Sequence, residues 1–133
     1  MLKIPVRIFK EMVLQGQSAA PVEACGILAG RDGVVSKCFE MTNADNSAEH
    51  FTMVPEEQFA VVKDMRAQGI EMCAVYHTHP ATQARPSQED IKLAVMPGAV
   101  YVILSLAADQ PVAKAFSIED GVVTNLDLEI VED

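Results

Sequence analysis

The apolar run Met72-Cys73-Ala74-Val75-Tyr76 ends in His77-Thr78-His79-Pro80, and no other stretch restricts the fold as tightly. Five apolar residues closed by a proline read as a buried strand, and side chains two apart in a strand share a face. Both imidazoles therefore aim at one point. Pro80 stops the strand, and residues 81–85 make a loop short enough to bring the next helix back to that point. Asp90 then falls in the first turn of that helix. Two imidazoles and one carboxylate on one centre are the donor set of a catalytic zinc site, which takes three protein ligands and leaves the fourth position to water. His77, His79 and Asp90 are thus candidate ligands for one Zn2+ per chain.

Plainer roles exist for each of these residues. A single buried histidine is more often a core residue with its hydrogen bonds satisfied. Ser87-Gln88-Glu89-Asp90, ahead of Ile91-Lys92-Leu93-Ala94-Val95, is also a capping box, with Ser87 at the N-cap and Asp90 returning to the backbone. The two roles do not compete, because a helix start holds a hydroxyl and a carboxylate rigidly. Glu23, in Val22-Glu23-Ala24-Cys25-Gly26-Ile27-Leu28-Ala29-Gly30, reads locally as an acid at a strand end making a structural ion pair. An acid in so apolar a strand nevertheless asks for a function.

Taken whole, the spacing resembles the signature of the JAMM/MPN+ metalloprotease family: His77-Thr78-His79-Pro80, five residues, Pro86-Ser87, two residues, Asp90. Glu23, Gly26, Leu28 and Gly30 resemble the upstream Glu-x-x-Gly-x-Leu-x-Gly strand of the same family. The resemblance runs from about Met1 to Leu106 and departs at no catalytic position. It implies that His77, His79 and Asp90 bind zinc. Glu23 would be general base and then general acid to the leaving amine, and Ser87 would steady the tetrahedral intermediate. The implied fold is α+β, a mixed curved sheet wrapped around a helix with further helices packed on it, similar to cytidine deaminases.

The implied activity is hydrolysis of a peptide or isopeptide bond at the tail of a ubiquitin-like protein. Small stand-alone bacterial-type members resemble peptidases that free a sulfur-carrier protein from a C-terminal amino-acid adduct. A slim tail of this kind can add to a sheet edge through its backbone. Residues 51–54 and the 81–85 loop are the expected edges. Two other classes stay open: a metal-free MPN-type protein-binding module, and a zinc deaminase, although the His-x-Glu and Pro-Cys-x-x-Cys of the latter are missing.

The chain has 133 residues, half of them hydrophobic, which suits a single domain over 1–133 with a real core. Nineteen acids against ten Lys and Arg give a net charge of -9, a poor match for nucleic acid. The N-terminus lacks an export signal and no apolar run is long enough for a membrane span, so a soluble cytoplasmic protein is expected. Three cysteines without C-x-x-C spacing argue against a disulfide framework, and each reads as a small buried hydrophobe. For Cys25, two residues from Glu23, a place near the site is also open. His50 either lines the substrate groove or caps the segment that follows it.

In chain order, Leu2 to Ile4 reads as a short edge strand, and Pro5 opens a helix whose apolar face is Ile8, Phe9, Met12 and Val13, fading near Gly16. A strand containing Glu23 follows. A turn over residues 30–33 returns it as 34–41, and 42–50 is a polar loop. Residues 51–54 read as a short strand. Pro55 starts a helix with Phe59, Val62 and Met65 on its apolar face, ended by Gly69. After the histidine strand, a helix from Ser87 should run to Pro97-Gly98. Tyr101 to Leu104 is a central strand, and 113–118 with 122–130 form a last hairpin about Asp120-Gly121.

Overall fold

The computed structural model describes residues 1–133. Along the chain come β1 (Leu2–Pro5), α1 (Val6–Ala19), β2 (Cys25–Arg31), β3 (Val34–Met41), α2 (Pro55–Gln68), β4 (Glu71–His79), α3 (Gln88–Leu93), β5 (Tyr101–Ser105), β6 (Val112–Glu119), β7 (Val122–Leu126) and β8 (Leu128–Val131). All eight strands join one mixed sheet in the order β7-β6-β5-β4-β2-β3-β1-β8. β7 and β8 are the two outer strands of that order, yet only Asp127 separates them in sequence. One residue cannot cross a flat eight-stranded sheet whose strands are about 4.8 Å apart. The sheet therefore curls until its edges nearly meet.

The curl encloses α1. Ile8 and Met12 of this helix are buried against Leu2 and Ile4 of β1, Leu28 of β2, Tyr76 of β4 and Leu104 of β5. Each such side chain contributes about 1.5–3 kcal/mol when fully buried. The opposite face of β2 and β4 is covered by Val61 and Met65 of α2, which pack with Ile27, Met41, Met53 and Val75. β4 thus lies near the centre with a helix on either side. No helix is long and apolar enough to cross a membrane.

Several expectations change. β1 is not an edge strand, because β8 pairs beside it in parallel, Leu2 with Leu128 through Pro5 with Val131. The final segment is accordingly not one hairpin arm: Val122–Leu126 pairs with β6, and Leu128–Val131 crosses to β1. Glu23 precedes β2 rather than lying in it. Residues 51–54 do not form a strand, and their pairing is a single bridge from Met53 to Asn43. α1 ends at Ala19, shortly after Gly16 as expected, and that glycine meets β4, where an added Cβ would lie 2.9 Å from the Thr78 methyl.

On α2, Phe59 is 71% exposed and Val62 is also exposed. The helix touches the sheet through the Val61/Met65 stripe, and a residue two positions from Val61 lies about 200° round the helix from it. α3 stops at Leu93 and buries none of its residues. Short helices persist mainly through packing. With nothing to dock on, the segment toward Pro97 leaves the helix.

Candidate metal centre

The site lies at the C-terminal end of β4, on the α2 side. Cys25 of β2 and Ile103 of β5 pair with His77, and Ser105 of β5 pairs with His79, so the ladder fixes the His77 backbone from two sides and that of His79 from one. Their side chains share a face, as the two-residue period requires. Both are buried. The Phe51 ring lies 4.8 Å from the His77 ring and covers it.

Asp90 comes to this pair from the first turn of α3. Its Oδ1 is 3.2 Å from His77 Nε2 and its Oδ2 is 3.0 Å from His79 Nε2. The two Nε2 atoms are 3.2 Å apart. The capping box is present as well: Ser87 Oγ accepts from the Asp90 amide at 3.0 Å, and Asp90 Oδ2 accepts from the Ser87 amide at 2.9 Å. The cap holds the carboxylate against the imidazoles, so capping and ligand geometry reinforce each other.

The hydrogen bonds show what this arrangement lacks. His79 Nδ1 is 2.8 Å from the Gln83 carbonyl, which only accepts, so Nδ1 carries a proton and donates. In a neutral ring that leaves a bare lone pair on Nε2, aimed at a carboxylate. Two acceptors 3.0 Å apart need positive charge between them, either a proton or a metal ion. Burial works against a proton on His79, yet the Asp90 and Gln83 hydrogen bonds outweigh it and raise its pKa. His77 goes the other way, held below the usual imidazole value by burial. Burial pushes Asp90 up, but hydrogen bonding to both imidazoles leaves it well below the usual carboxylate range.

A zinc ion fits this donor set. Tetrahedral ligands at about 2.0–2.1 Å from zinc stand about 3.3 Å from one another. The two Nε2 atoms stand 3.2 Å apart, and Asp90 meets them through separate oxygens, Oδ1 3.2 Å from His77 and Oδ2 3.0 Å from His79. Glu23 also offers an oxygen that, with the two imidazole nitrogens, forms a group within 4.8 Å. Asp90 would serve as the third ligand, since its oxygens lie 3.2 and 3.0 Å from the two nitrogens. Glu23 stands one step back.

Glu23 is 3% exposed, and its Oε1 has no hydrogen-bond partner. Leaving a buried polar atom unpaired costs about 1–3 kcal/mol, so the orphan oxygen marks a position kept for something else. Burial raises the Glu23 pKa to about 7, with Asp90 and Glu49 adding to the rise and His79 opposing it. A carboxyl poised there can take a proton and return it at neutral pH. Ser87 is exposed, and its hydroxyl oxygen accepts from the Asp90 amide, which leaves its own proton free to donate.

Cys25 is fully buried opposite His77, bordering the site, and burial pushes its thiol up to about 12. An inert hydrophobic role follows. His50 pairs with Asp45 at 3.0 Å in the 42–53 connection. Four participants escape a reading from sequence alone. Phe51 covers His77, the Gln83 carbonyl fixes His79, and Asn43 Nδ2 donates to the Glu23 carbonyl at 3.0 Å. Ser105 Oγ donates to the Thr82 carbonyl at 2.6 Å, anchoring the loop that carries Gln83. Backbone carbonyls leave no mark in a sequence. The loop's Thr82 and Gln83 carbonyls are thereby occupied, which weakens its case as an edge for an added strand.

Comparison with known proteins agrees with this architecture. The family of prokaryotic homologs of the JAB domain matches residues 5–119. The chain is 34% identical over 134 residues to the CysO-cysteine peptidase of Mycobacterium tuberculosis, covering 98% of this chain and 92% of that relative. With the desampylase of Pyrococcus furiosus it shares 31% identity over 80 residues, 60% of this chain and 57% of the other. The solution structure of protein DSY2949 from Desulfitobacterium hafniense matches with a TM-score of 0.93 at 42% identity, covering 100% of this chain and 94% of that one. The chain belongs to the JAMM/MPN family as one of its small prokaryotic members, and its curved sheet around α1 is the fold of that family.

Proposed function

We propose that residues 1–133 act as one JAMM/MPN+ metalloprotease domain, a cytoplasmic zinc-dependent hydrolase that cuts a peptide or isopeptide bond at the tail of a ubiquitin-like or sulfur-carrier protein. The observation that carries the reading is the unpartnered Glu23 carboxyl oxygen, buried beside an imidazole pair and a carboxylate spaced for zinc. His77, His79 and Asp90 would hold the ion. Zinc bound there would polarise a carbonyl and bring the pKa of water toward about 7.

The chain's own residues do the rest. Glu23 takes the proton of the attacking water and delivers it to the leaving amine, a transfer worth roughly 100- to 10,000-fold. Ser87 donates its hydroxyl proton to the carbonyl oxygen as charge develops on it, worth about 100- to 1000-fold. The Gln83 carbonyl holds the His79 ring in the tautomer that presents Nε2. Phe51 keeps water off the His77 ring. The name of the mycobacterial relative supports a carrier protein bearing a C-terminal amino acid as the substrate class. Nucleic acid and membrane play no part in this reading, and the net charge of -9 suits neither phosphate backbones nor anionic lipid.

The test is mass spectrometry of a sulfur-carrier protein with a C-terminal extension, incubated with zinc-loaded protein. Loss of the extension, abolished by chelator and by Glu23→Gln, is the expected result. Near-zero zinc stoichiometry would instead return the chain to a metal-free binding module.

A further inference from the structure

Thr78 stands between the two histidines, and its side chain points to the opposite face, toward α1. It is fully buried, and its methyl group packs against Gly16. Its hydroxyl does something the packing does not require. Oγ1 accepts the Ala24 amide proton at 2.8 Å, while the Thr78 amide donates to the Ala24 carbonyl at 2.9 Å. In a regular antiparallel pair the Ala24 amide would bond the Thr78 carbonyl. Here a side-chain oxygen takes that place, where the chain is about to enter the ladder at Cys25.

Ala24 directly follows Glu23. The other backbone ties of Glu23 run to the Ser47 carbonyl, at 2.8 Å, and to the Asn43 side chain. Both partners belong to the 42–53 connection, which lies outside the sheet and closes on itself through the Asn43–Met53 bridge. The Thr78–Ala24 pair is therefore the tie nearest this acid on the strand that carries the histidines, one residue ahead of the Cys25–His77 ladder pair. The histidines do not need that hydroxyl. Ladder pairs with Ile103 and Ser105, and a 3.1 Å bond from the Leu106 amide to the His79 carbonyl, already hold them.

We propose that Thr78 is a positioning residue for Glu23: its hydroxyl sets the carboxylate at its distance from His77 and His79. One tripeptide then places two ligands with its outer residues and the acid–base group with its middle one. This rests on Glu23 being the general base. Misplacing a reacting group by about 1 Å can cost about 100-fold in rate.

Thr78→Val keeps the shape and removes the hydroxyl, and Thr78→Ser does the reverse. In Thr78→Val, zinc stoichiometry and affinity should stay as in wild type, while kcat on the extended carrier protein falls about 10- to 100-fold. In the zinc-free protein the Ala24 amide should exchange its hydrogen at least about tenfold faster. Thr78→Ser should recover both kcat and Ala24 protection, and Thr78→Ala serves as a second hydroxyl-free variant should the valine variant not fold. In a Glu23→Gln background, removing the hydroxyl should cost no further turnover.

Wild-type kcat in Thr78→Val, unchanged Ala24 exchange, or a Thr78→Ser variant as slow as Thr78→Val would each overturn the proposal. A Glu23→Gln variant with wild-type turnover would remove the general-base reading instead, whatever Thr78→Val does.

Discussion

The two faces of β4 are buried almost equally and organised in opposite ways. Toward α1 lie Tyr76 and Thr78, both fully buried with every polar atom partnered. The Tyr76 hydroxyl donates to Gln15 Oε1 and sits 3.1 Å from Cys38 Sγ, and Gln15 Nε2 donates to the Cys25 carbonyl at 3.0 Å. Toward α2 lie His77 and His79, with both Nε2 atoms facing a carboxylate and one Glu23 oxygen without a partner. Burial alone does not distinguish them. What does is whether the polar atoms are satisfied within the protein, and only the histidine face leaves that account open. The α1 face satisfies its polar atoms internally, and the histidine face leaves a buried carboxyl oxygen unpaired at a cost in stability.

That contrast can be broken from either side. The largest effect is expected from His77→Ala or Asp90→Ala, which should abolish zinc binding and turnover together, read by metal analysis and by cleavage of the extended carrier protein. A variant that keeps both would remove the ligand assignment. Next comes Ser87→Ala, which should lower kcat about 100-fold with zinc retained. A loss confined to melting temperature would assign Ser87 to capping alone. Tyr76→Phe probes the other face: it should cost about 1–3 kcal/mol of stability in denaturant unfolding and leave kcat unchanged.

The smallest effect concerns Glu23 in zinc-free protein and has a defined sign. Its folded pKa, about 7, lies above the ordinary value of 4.5. The folded state therefore binds the proton more tightly, and the stability this brings is complete below pH 4.5 and lost as pH rises through 7. Glu23→Gln should thus stabilise the zinc-free protein by about 1–3 kcal/mol at pH 8 and hardly at all at pH 4. Equal stabilisation at both pH values would show that desolvation of the carboxylate is not the cause.

The order of elements and the histidine strand are legible in the sequence because local rules decide them: period two in β4, Pro80 at its end, Asp32-Gly33 in the first hairpin, Gly69 at the end of α2. The gathering of His77, His79 and Asp90 is legible for the same reason, since it depends on a short loop and a cap. Long-range partners are not. Nothing near Leu2 says that residues 128–131 will lie beside it, and nothing in α2 says which of two apolar stripes meets the sheet. The sequence places Val61 and Phe59 in one apolar helix, and only packing buries the first and exposes the second. Thr78 is hidden differently: an alternation that explains both neighbours passes over the residue between them.

The closing of the sheet at Asp127 bears on how the chain reaches this state. β1 is the first of the eight strands along the chain, and its outer neighbour is formed by Leu128–Val131, the last of the eight. Leu2 and Ile4 therefore have no complete shelter until residues 128–131 have left the ribosome. Contacts this distant along the chain slow folding, because loop-closure entropy is lost before the contact compensates for it. A nascent chain arrested before residue 128 should hold β2, β4 and β5 together while staying open to proteases along its first strand.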